Sequence, residues 1–159
     1  MCYFLYGCIN EQAYDELFLS ISRKYGYVDT GRINIRDMYF DPRIKDGVYF
    51  RLFDGHCDCG TPLGGGDEKS EELQQYIKWL RELKKCRKHG LKYFYIMKFW
   101  EGHGHKPSLK PLVSINVDEL DPVFLAGMEE DRVYRFEYFK RYEWKDGSGK
   151  DDAYNGESS

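Results

Sequence analysis

The chain opens with "CYFLYGCI", residues 2–9, a run of apolar and aromatic positions without polar alternation. Such a run predicts a central strand, flanked by other strands and covered on its faces. The period then changes. Tyr14, Leu17, Phe18, Ile21 and Tyr25 recur at three- and four-residue spacing, one side of a helix. Asn10 is placed to cap that helix and Gly26 to end it. "GRINIRDMYF" and "GVYFRLF" flank "DPRIKDG", whose Asp-Pro and Asp-Gly pairs mark a turn. Residues 31–40 and 47–53 therefore read as an antiparallel hairpin.

The clearest helical pattern spans about 68–89, with Leu73, Tyr76, Ile77, Leu80 and Leu83 as its apolar stripe. Asp67, Glu68, Glu71 and Glu72 crowd its start, and Lys84, Lys85, Arg87, Lys88 and His89 crowd its end. That polarity complements the helix dipole, and Gly90 closes the helix. "KYFYIMKFW" (92–100) is a further strand, and "LVSINV" is extended. Asp118 or Asp121 can cap a short helix with Pro122 in its first turn. "RVYRFEYF" (132–139) is the last strand, with Tyr134, Phe136 and Tyr138 on one face.

The predicted order is β-α-β-β-α-β-α-β. Its first six elements match a ferredoxin-like βαββαβ sheet with helices on one face, here extended by an extra helix and a C-terminal strand. The fold class is α+β. Residues 1–144 form one domain, and the polar, glycine-rich residues 145–159 are expected to be a disordered tail.

Composition narrows the partners. At 159 residues the chain can bury a core without staples, and 42% of it is apolar. Aromatic residues reach 17%, enough to leave some on the surface for a protein partner or self-association. The net charge of −3 argues against nucleic-acid binding, which calls for a basic face. No stretch approaches the ~20 apolar residues of a membrane span, and the N-terminus lacks the basic start of a signal peptide. A cytoplasmic location is expected. There, five cysteines are thiols or metal ligands rather than structural disulfides.

The candidate chemistry lies in "GHCDCGTPLGGGDEKS", residues 55–70. If the strand at 47–53, the helix at 68–89 and the strand at 92–100 form a βαβ unit, the two strands are parallel. The loops that follow them, 55–66 and 101–107, then leave the same end of the sheet, the usual place for ligands. This brings His56, Cys57 and Cys59 towards His103 and His105. A first strand antiparallel to both adds Cys2, whereas a parallel one adds Cys8. Thiolates and imidazoles are the preferred ligands of zinc, and the spacing i, i+2 in extended backbone puts both side chains on one face. The opposing reading makes Cys57 and Cys59 small buried residues beneath a turn, with the histidines solvated.

A thiol-chemistry reading meets the objection that Asp58 should raise the thiol pKa values. The glycines resemble no working phosphate loop. Gly66-Asp67 stands where Lys-Ser/Thr is required, and the acids that follow repel phosphate, so no nucleotide is expected. These readings converge on a small interaction domain with a Cys/His zinc site in loops 55–66 and 101–107. The alternative is an enzyme at the same place, either a metal-assisted hydrolase or one with a cysteine nucleophile.

Overall fold

A computed structural model of the chain describes residues 2–28, 32–33, 46–53, 55, 57–101 and 108–140. The fold is α+β, a five-stranded mixed sheet with a few helices. In chain order the elements are β1 (Cys2–Asn10), α1 (Glu16–Lys24), β2 (Gly47–Arg51), α2 (Glu71–Glu82), β3 (Tyr93–Glu101), β4 (Val113–Asn116), α3 (Pro122–Ala126) and β5 (Val133–Glu137). The strand order is β2-β1-β3-β5-β4, with β4 parallel to β5 and every other neighbour antiparallel.

Alternation divides the strands between two faces. Leu5, Ile9, Phe50, Phe94, Ile96 and Phe136 pack against Phe18 and Ile21 of α1 and against Leu73, Ile77, Trp79 and Leu80 of α2. On the opposite face Cys8, Tyr49, Tyr93, Tyr95, Met97 and Val133 form a second buried cluster. Gly7 lets the rings on the helix side close over β1. A Cβ there would stand 2.6 Å from Phe50 and 2.9 Å from both Leu52 and Phe94. Trp79, packed among those rings, satisfies its indole N–H by donating to Ser22 Oγ at 3.0 Å.

Two local expectations are corrected. Asn10 makes no side-chain cap; residues 11–13 form a separate 3₁₀ turn, and Asp15 caps α1 by accepting from the Phe18 amide at 3.1 Å. Ala13, fully buried in that turn, redirects the chain before the helix can start. The second helix is α-helical only to Glu82 and then tightens into a 3₁₀ segment, Leu83–His89, ended by Gly90 at φ 95°. Asp121, rather than Asp118, caps α3, accepting from the Phe124 amide at 2.8 Å.

Of the predicted hairpin, Arg32 pairs antiparallel with Phe50 and the Ile33 amide donates to Tyr49 O at 2.8 Å. The remainder of its first strand lies outside the described residues, as does the tail beyond residue 140. The strand order by itself therefore does not establish a ferredoxin-like arrangement. No helix among the described residues is long and apolar enough to cross a membrane.

Candidate metal centre

Because β2 and β3 each run antiparallel to β1, they run parallel to one another with β1 between them. Their C-terminal residues, Arg51 and Glu101, lie towards the start of β1, where Cys2 pairs with Glu101. Cys8 lies towards the other end of β1. There it pairs with Tyr49 and Tyr95.

β2 ends opposite Tyr6, and the loop after it turns back along the start of β1. Asp58 holds it there. Its amide donates to Tyr3 O at 2.8 Å, and its Oδ2 accepts from the Leu5 amide at 2.7 Å. The same oxygen accepts from Arg51 Nη2 at 3.1 Å, and Arg51 Nη1 donates to Gly55 O at 2.6 Å. The guanidinium also lies 4.7 Å over the Phe4 ring. These partners explain how a carboxylate only 5% exposed is tolerated, since a buried charge needs both a counter-charge and hydrogen bonds.

With Asp58 fixed, its two neighbours are fixed too. Cys59 Sγ accepts from the Tyr3 amide at 3.4 Å. The sulfurs of Cys2, Cys57 and Cys59 all lie within 4.8 Å of one another, close enough to bind a metal ion. Cys59 is exposed, whereas Cys2 and Cys57 are half-buried. Among the described residues no other group of three His, Cys, Asp or Glu side chains converges in this way. The donor set is soft and all-sulfur, which suits zinc or another thiophilic ion.

The electrostatics reverse one expectation. The Cys57 thiol is held below its ordinary pKa, first by the Cys59 amide N–H donating to its sulfur, then by the thiols of Cys59 and Cys2. The Asp58 charge does push it up, as expected, but this is among the smaller effects, outweighed by hydrogen bonds to the sulfur. Cys2 is shifted the other way, chiefly through its hydrogen bond to Cys57 and through burial. A cation stands close by. Lys98 Nζ lies 4.9 Å over the Tyr3 ring and donates to Leu63 O at 3.2 Å. Burial lowers its pKa, while Glu130 and Cys59 pull it back up.

The glycines of the loop serve docking. Gly64 (φ 71°) and Gly66 (φ 81°) donate their amides to Leu125 O and Ala126 O of α3 at 2.8 and 2.9 Å. A Cβ on Gly64 would stand 2.3 Å from Met128 O, so a close backbone approach requires glycine there.

Of the residues singled out by sequence, Cys2, Cys57 and Cys59 come together. His56, His103 and His105 lie outside the described residues. Arg51, Lys98 and Tyr3 were not anticipated at the site. The signal for Arg51 was a lone charge inside "GVYFRLF", seven residues before the buried aspartate it neutralises. Comparison with protein-family models, with curated proteins and with solved structures finds no match to this chain.

Proposed function

We propose that the protein is a small protein-binding domain in which a zinc ion on Cys2, Cys57 and Cys59 organises the loop-bearing end of the sheet. The observation that carries this reading is the convergence of three sulfurs, from two distant segments, within 4.8 Å. A structural zinc takes four ligands. For the fourth, the chain offers His56 beside Cys57, and His103 and His105 just past Glu101, whose backbone pairs with Cys2. Zinc held in this way ties loop 55–66 to β1, and a histidine ligand from loop 101–107 would tie that loop as well. Next to it the half-buried rings of Phe4, Tyr6 and Phe99 stand in a row at 6.1 and 6.4 Å, an apolar surface suited to a protein partner or a second copy.

The ligands stay reduced in a cytoplasmic setting, and the net charge of −3 disfavours nucleic acid. The Arg32–Phe50 pairing outside β2 supports a ferredoxin-like core, to which β5 and β4 add beyond β3. The exposure of Cys59 favours one second reading, a metal with three protein ligands and an open position for water, as a hydrolase requires.

Elemental analysis of protein purified without an affinity tag tests the site, beside a Cys57→Ser/Cys59→Ser double variant. One equivalent of zinc, lost in the variant, supports it; metal absent from both removes it. Cobalt substitution then separates four protein ligands from three plus water by the absorption of the bound ion.

A further inference from the structure

We propose that the same three sulfurs form an oxidation site: in the metal-free protein hydrogen peroxide converts them into a disulfide joining Cys2 to the Cys57–Cys59 segment. The inference rests on the cluster used in the zinc reading and needs no metal. Cys59 is the exposed member and the first to meet a small oxidant, whereas Cys8 and Cys86 are fully buried.

In the first step the Cys59 sulfur attacks one peroxide oxygen. The O–O bond breaks, a sulfenic acid forms and the second oxygen leaves as water. In the second step the Cys2 sulfur attacks the sulfenic sulfur. An S–S bond forms, the S–O bond breaks and a second water leaves with the thiol proton. Two thiols are oxidised to one disulfide, and one peroxide is reduced to two waters. Sulfurs within 4.8 Å of one another reach bonding distance by side-chain rotation.

Cys2 is the partner because the alternative is obstructed. A disulfide between residues only two apart closes a tight ring and needs the backbone at Asp58 to move. That residue is pinned by its amide to Tyr3 O and by its carboxylate to Leu5 and Arg51. The Tyr3 amide, meanwhile, holds the Cys59 sulfur beside the backbone next to Cys2.

The test treats reduced, chelator-stripped full-length protein with one equivalent of hydrogen peroxide, then counts thiols and maps peptides by mass spectrometry without reduction. Two of the five thiols should disappear, in monomeric protein, with Cys2 in the bridge. Cys2→Ser should abolish that bridge and leave a sulfenic acid that dimedone traps. A 57–59 bridge, an intermolecular bridge, or Cys59 oxidised to sulfinic acid with Cys2 still free would each overturn the proposal. Repeating the reaction with zinc at ten times its Kd should slow the loss about tenfold. A Cys2 bridge formed at the same rate with zinc as without sinks only the zinc reading. Zinc retained without any bridge in the stripped protein sinks only this one.

Discussion

Cys2 and Cys8 lie on one strand and, by alternation, on one face of the sheet, yet they live in different chemistry. Cys8 has a strand on each side, pairs with Tyr49 and Tyr95, and is fully buried. Burial pushes its thiol up to about 12. Cys2 has β3 on one side only, because β2 stops opposite Tyr6, and a loop carrying two more cysteines fills the other. Residue type, strand and face are the same. What differs is how far the neighbouring strand reaches, and reactive groups gather where a rigid strand gives way to a loop it can still anchor.

The widest gap between the two ends should be kinetic. In native protein freed of metal, iodoacetamide should modify Cys2, Cys57 and Cys59, with Cys8 and Cys86 slower by at least about three orders of magnitude because they wait for unfolding. Mass spectrometry of a time course reads this directly; equal rates at Cys2 and Cys8 would end the comparison.

Next in size is the anchor. Asp58→Ala leaves the Leu5 amide and the Arg51 guanidinium without their shared acceptor, a loss of roughly 3 kcal/mol in denaturant unfolding. Asp58→Asn, which keeps an acceptor for Leu5, should cost less. If both variants cost nothing, the loop does not depend on this carboxylate.

Between the two ends, Gly7→Ala forces a methyl against Phe50, Leu52 and Phe94 and should cost about 1–3 kcal/mol while leaving the thiol pattern unchanged. The smallest effect is a slope. Folded Cys8 keeps its proton to about 12, whereas the unfolded thiol releases it near 9.0, so unfolding releases a proton in that window and stability falls as pH rises through it. Buried Tyr76 and Tyr138, both shifted upward by desolvation, add to the same trend. Cys8→Ala should flatten the alkaline decline, as measured by urea titrations at several pH values.

Much of this could be read from the chain because it is local. The uninterrupted apolar run of β1, the charge polarity of α2 and the alternation of Tyr134, Phe136 and Tyr138 each follow from neighbours in sequence, and the stripe from Leu73 to Leu83 is buried. Placing Cys2 near Cys57 and Cys59 needed only strand directions. What sequence could not supply were the partners of particular side chains. Asn10 and Asp15 are equally able caps by type, and only the buried Ala13 turn decides between them. In the sequence Asp58 is only a charge beside two thiols, because nothing there links it to Arg51 or to the Leu5 amide. Lys98 looks like any polar residue in a strand until its amine is found between Tyr3 and Leu63.

The Asp58 anchor has a consequence apart from metals and thiols. A strand that outruns its neighbour exposes a row of amides and carbonyls, an invitation for a foreign chain to add itself to the sheet. Here Tyr3 O, Tyr3 N and Leu5 N are claimed by the Asp58 amide, the Cys59 sulfur and the Asp58 carboxylate. The loop thus shields the overhang of β1 against strand addition, and loosening it should reveal itself first as aggregation.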